Sequence, residues 1–82
     1  MATSITFDKE ESDKRTDNGW NWFYGTVSDK GKDYPFTLLE MNTKVGGQNT
    51  AATEITWVEE TPENSYDAEI LIEQRFEEEF VV

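Results

Sequence analysis

The sequence predicts an α+β fold, an antiparallel sheet of about four strands with one C-terminal helix packed on a face. Three observations lead there. Short stretches that alternate apolar and polar residues recur as far as Trp57 and are separated by glycine-bearing turn signals, the period of half-buried strands. The final segment instead carries an i, i+4 apolar row among good helix formers. Finally, 82 residues with three Trp, three Tyr and five Phe suffice for one small core, so residues 1–82 form a single small acidic domain. The alternative is an all-β small barrel or sandwich, in which residues 66–82 supply one or two further strands.

Thr3, Ile5 and Phe7 share a parity, with Ser4 and Thr6 between them, and form the first strand. Residues 8–17 hold eight charged side chains of both signs, which predicts a mobile charged loop at about 8–18 that ends in the turn signal Asp17-Asn18-Gly19. The alternation of Asp8, Glu10 and Ser12 invites a calcium-loop reading. Asp13 stands where that loop needs glycine, however, and Gly19 where it needs a bidentate glutamate, so no metal site is expected. Trp20 to Val27 is aromatic and β-branched, a second strand. Ser28 to Lys32 reads as a short loop, with Gly31 free to take a left-handed conformation in a bulged hairpin. The return strand runs from about Asp33 to Met41, and Pro35, with no N–H to donate, puts that end at an edge or bulge. Asn42 to Ala51, with Gly46-Gly47, reads as a polar loop. Thr53, Ile55 and Trp57 alternate with Glu54 and Thr56 in a fourth strand.

The last segment is ambiguous by pattern. As a helix it starts from Thr61-Pro62-Glu63 as cap, first-position proline and early acid, with Ser65 as a second candidate cap. Ala68, Ile72, Phe76 and Phe80 then form the apolar row, and Leu71 joins it. Yet the even positions Tyr66, Ala68, Ile70, Ile72, Phe76, Phe80 and Val82 are all apolar, which a strand also satisfies. Glu77-Glu78-Glu79 favours the helix, since consecutive glutamates are poor strand formers.

Composition limits the chemistry. Without histidine or cysteine there is no imidazole base, thiolate nucleophile, disulfide or zinc finger, and no enzymatic activity or cofactor is expected. A carboxylate pair of the glycosidase kind would arise by chance among 18 acids, and so short a chain leaves little room for a deep cleft. Gly46-Gly47 is followed by Gln48-Asn49, which is not a phosphate loop. The start of the chain shows no basic and apolar leader pattern, and no apolar run reaches membrane-spanning length. The expected location is therefore cytoplasmic, or within a host cell for a viral chain, with no membrane partner.

Net charge is −11, and it is uneven: residues 1–41 hold eight acids and five bases, residues 42–82 ten acids and two bases. Such a field repels nucleic acid and draws in basic proteins. If α-helical, the last segment carries Glu69, Glu73 and Glu77 at i, i+4 with Glu78 beside them, a row of carboxylates suited to a basic partner and able to imitate a phosphate backbone. The expected function is thus a non-enzymatic acidic binding or inhibitor protein that engages a basic partner. In size and charge alone the chain is similar to small acidic inhibitors that mimic nucleic acid, several of them from phages. Trp20, Trp22 and Tyr24 fall on one face of the second strand and Phe23 and Val27 on the other, so bulk is presented to both sides. Hence the second expectation, a structural or assembly subunit that self-associates as a homo-oligomer, possible also for a virus particle, with Trp20, Trp22 and Tyr24 at its interface. A carbohydrate-binding domain using the tryptophans is the third.

Overall fold

The computed structural model describes residues 3–8, 12 and 19–81. Strands β1 (Ser4–Asp8), β2 (Gly19–Asp29), β3 (Lys32–Val45) and β4 (Gln48–Trp57) pair antiparallel in the order β1-β2-β3-β4. Helix α1 (Ser65–Phe76) lies on one face and widens into a π-helical turn over Glu77–Val81. The sheet stays open, so the arrangement is α+β and not a barrel. No helix among the described residues is long and apolar enough to cross a membrane. The charged loop expected at about 8–18, including the Glu10 of the calcium-loop reading, lies outside the described residues except for Asp8 and Ser12. Ser12 extends the β1–β2 pairing: its hydroxyl donates to Asp8 O at 2.8 Å and accepts from the Tyr24 N–H at 3.2 Å.

Both long hairpins are tighter than expected from sequence. Asp29 pairs with Lys32 across Lys30 (φ 53°) and Gly31 (φ 77°), and Val45 pairs with Gln48 across Gly46 (φ 59°) and Gly47 (φ 83°). Two successive positive φ angles make a two-residue turn whose twist matches the flanking strands, so the ladders close right up to each turn. That is why Asn42–Val45 and Gln48–Ala51, polar enough to read as loop, are strand. Pro35 sits where β4 leaves the sheet: β3–β4 pairing begins at Phe36↔Trp57, and the Pro35 carbonyl accepts the last bond, from Val58 N–H at 3.0 Å. The missing proline donor therefore costs only the return bond of this last pair, at the end of the ladder where β4 departs.

The core is the face of the sheet beneath α1. Ile5, Phe7, Phe23, Val27, Phe36 and Leu38 meet Ile72 and Phe76, with Phe80 packed against them. Its rings interlock: Phe23 lies 4.8 Å from Phe76 and 4.7 Å from Phe80, and Phe7 stands edge-on to Phe36 at 5.6 Å and to Phe80 at 5.3 Å. Gly25 makes room for one of them, since a Cβ there would come within 2.6 Å of Phe36 Cζ. A polar trio continues this face beyond the aromatics. Glu40, 2% exposed, accepts from Asn42 Nδ2 at 3.1 Å and, more loosely, from Asn21 Nδ2 at 3.5 Å. Buried carboxylates persist only with such partners.

The helix resolves the pattern ambiguity. Ala68, Ile72 and Phe76 are buried at i, i+4, whereas Tyr66 and Ile70, which a strand would have turned to the same side, are exposed. Leu71 also stays 39% exposed, off the row it was expected to join. The cap is Asn64, not Thr61 or Ser65, and the first closing bond runs from Ala68 N–H to Asn64 O at 2.9 Å. Pro62 is buried in the approach, lining a cleft with Val27 and Ala68, so the chain covers the sheet end before it begins to wind.

Candidate functional site

Among the described residues, no helix or strand lies over the face of the sheet away from α1. On β2, alternation turns Asn21, Phe23, Gly25 and Val27 to the core and Trp20, Trp22 and Tyr24 outward. The register aligns Trp20 with Met41 and Ala52, Trp22 with Leu39 and Glu54, and Tyr24 with Thr37 and Thr56. Trp20 is 68% exposed, while Trp22 and Tyr24 are each a little over a third exposed and Leu39 is buried among these cross-strand neighbours. The result is an aromatic strip with a carboxylate, Glu54, two strands from Trp22 and no base among the described residues of that face. Aromatic rings on a face that also carries carboxylates, Glu54 on β4 and Asp8 opposite Tyr24 on β1, are suited to cations, through the ring faces and through charge.

The four glutamates singled out from sequence fall into two groups. Glu69 Oε2 accepts from Trp57 Nε1 at 3.1 Å and Glu73 Oε1 accepts from the Thr53 hydroxyl at 2.8 Å, which ties this side of α1 to β4. Glu77 continues that i, i+4 row and is exposed. Glu78 stands on another side, 3.8 Å from Arg75 Nε, and Arg75 also donates to Glu79 at 3.2 Å. Two of the row, Glu69 and Glu73, are therefore braced against the sheet edge. The aromatic strip and the glutamate row lie on opposite faces of the sheet, and β4 is the strand they have in common.

Sequence reasoning missed Glu54 as a member of the aromatic face and Glu40 as a buried carboxylate. Parity alone would have placed Glu54 with Trp22 once the register was known. A further ion pair joins Lys32 to Glu60 across the end of the sheet. The bond to Glu60, and then its charge, hold the lysine above its ordinary pKa, and the ammonium also lies 5.6 Å from the Tyr34 ring centroid.

Clefts are small: about 150 Å³ between α1 and the β1–β2 end, about 180 Å³ near Lys32 and Glu60, and about 210 Å³ beside Arg75. Each falls short of the few hundred Å³ that enclose a small-molecule ligand. Among the described residues no group of three or more acids is placed to hold a metal ion. Fold and surface together define a small two-layer α+β protein whose candidate features are an open sheet face and an acid-lined edge. In comparison with known proteins, no family, no curated protein and no solved structure matches the chain.

Proposed function

We propose that the chain is a non-enzymatic acidic binding protein, of the inhibitor kind, that engages a basic protein partner. One observation carries the reading: Glu54 lies in β4, Glu69 and Glu73 are bonded to it, Glu77 continues their row along the helix, and none of the four forms an ion pair with a described residue. Uncompensated carboxylates on a rigid body raise the rate of encounter with a positive surface and repel a negative one. Glu69, Glu73 and Glu77 follow one another at about 6 Å along the helix, a spacing that suits a row of lysines or arginines. Basic sites built for nucleic acid are one class of such surface, and the cytoplasm, or that of a host, is the compartment where they would be met. The test is affinity capture on the immobilised protein from its native host at low ionic strength. The expected result is a basic protein whose retention falls steeply with added salt; recovery of nothing basic overturns the reading.

A second reading, an assembly subunit, draws support from the exposure of Trp20, Trp22 and Tyr24 on a face that no other described element covers. It predicts concentration-dependent association accompanied by a shift in tryptophan fluorescence. A strict monomer by light scattering across the micromolar range removes it.

A further inference from the structure

Resting on the reading that the partner is basic, we propose that the outer edge of β4 takes up an extended lysine- or arginine-bearing segment of that partner as a fifth strand. The edge follows from the register. Val58 N–H donates to Pro35 O, and the β3–β4 ladder runs without a bulge from Phe36↔Trp57 to Val45↔Gln48. Even-numbered residues of β4 therefore turn their backbone groups to β3, and Ala51, Thr53, Ile55 and Trp57 turn theirs outward. No backbone hydrogen bond among the described residues reaches those outward groups. Such a row is a template for another strand. Several usual protections are missing from the strand itself: β4 runs for ten residues with neither proline nor lysine, whereas the opposite edge, β1, has five.

Charge selects the occupant. The glutamates bonded to Thr53 and Trp57, Glu73 and Glu69, overhang β4 on its helix side, and each carboxylate keeps further acceptor positions. Glu54 stands on the other face of the same strand. An incoming strand alternates its side chains between faces, so positions opposite Thr53 and Trp57 come beneath Glu73 and Glu69, and the position opposite Glu54 comes beside it. Cations at those positions meet carboxylates on both faces. A second copy of β4 is disfavoured because it brings the same three glutamates and another net charge of −11 to the seam.

The test uses amide hydrogen exchange by NMR with two synthetic peptides of β4 length, one interspersing lysine among threonine and valine, the other identical in charge but interrupted by proline. The first peptide is expected to bind at low salt and slow exchange of the Ala51, Thr53, Ile55 and Trp57 amides by about tenfold or more, and the interrupted one to bind about tenfold more weakly. Ala51→Pro removes one outward donor and spares the β3 ladder, so it should weaken the first peptide by about tenfold. Glu69→Gln with Glu73→Gln should flatten the salt dependence. Exchange in the wild type decides the matter if the proline variant does not fold. Binding without protection of the outward amides overturns the edge site and leaves the basic-partner reading standing. Protection that grows with protein concentration in the absence of peptide also overturns it, in favour of a second copy. Failure of both peptides to bind overturns it too, and capture from the host then judges the broader reading separately.

Discussion

Replacing Gly25 by alanine tests how the sheet and its aromatic core fit together. An added Cβ would lie 2.6 Å from Phe36 Cζ, 3.0 Å from Phe36 Cε2 and 2.7 Å from the Thr6 carbonyl oxygen. Neither neighbour yields easily. Phe36 is 1% exposed and is flanked by Phe7 at 5.6 Å and Trp57 at 6.0 Å, so its ring has no open side, and Thr6 O belongs to the backbone of β1. Loss of glycine's freedom in the unfolded chain favours the variant by about 0.4–1 kcal/mol. Overpacking opposes it by about 1–3 kcal/mol, and with two obstructions the upper part of that range applies, for a net loss of about 1–2 kcal/mol. At about 4–8 °C per kcal/mol for a domain of this size, Tm falls by roughly 5–15 °C. Urea unfolding followed by tryptophan fluorescence should show a lower midpoint at an unchanged slope. In a Phe36→Leu background the same alanine should cost less by about 0.5 kcal/mol or more, which isolates the ring's share. A Gly25→Ala protein as stable as the wild type, or more stable, refutes the reasoning.

Three further outcomes follow from local geometry. Lys30 holds φ 53° in a turn that favours Asn-Gly, so Lys30→Asn should stabilise the protein by about 0.5–1 kcal/mol in the same urea assay, and no gain would mean the turn carries no strain. Glu40→Ala removes a buried acceptor shared by two amides and leaves a void, with an expected loss of about 2–4 kcal/mol, whereas Glu40→Gln retains an acceptor and should lose less; equal losses would show that accepting from the amides is not what the carboxylate contributes. Lys32 has a raised pKa in the folded state through Glu60, so its contribution is fully present below the ordinary lysine value of about 10.4 and is lost as pH rises through the raised value. Lys32→Met should accordingly lower Tm at neutral pH by more than it does in strong alkali, and an equal effect at both would count against the pair.

What could be read from the sequence was whatever depends on local period. Ile5 and Phe7, the two faces of Trp20–Val27, and the alternation about Ile55 all fix their own orientation, and so four strands were legible. Helix against strand over residues 66–82 was weakly legible, because the even-position pattern fits both and only the exposure of Tyr66 and Ile70 separates them. The polar hairpin about Gly46-Gly47 was hidden, since its residues pair for backbone reasons and bury little. Glu40 and Asn42 look like a solvated strand end, and their burial beside Asn21 depends on the β2–β3 register. The glutamate row was visible as spacing, but the bonds from Trp57 and Thr53 that brace it against β4 depend on how a helix and a strand far apart in sequence align.

The acidity and the open edge bear on each other. A long, proline-free edge strand next to an exposed aromatic face is the arrangement that drives chains to pair and aggregate, and this one has none of the usual lysine or bulge defences. Glutamates take that role here. Glu54 on one face and Glu69 and Glu73 on the other place like charges along any symmetric β4–β4 seam, while they attract a basic strand, so the same side chains oppose self-pairing and favour a foreign partner. The Glu54→Gln, Glu69→Gln, Glu73→Gln variant separates the two roles, because the amides keep the acceptors for Trp57 and Thr53 and remove the charge. At low salt it should associate at lower protein concentration than the wild type in sedimentation, and high salt should bring the wild type towards the same behaviour as screening shortens the repulsion to a few ångströms. A triple variant that sediments like the wild type at every concentration would mean that the glutamates do not guard this edge.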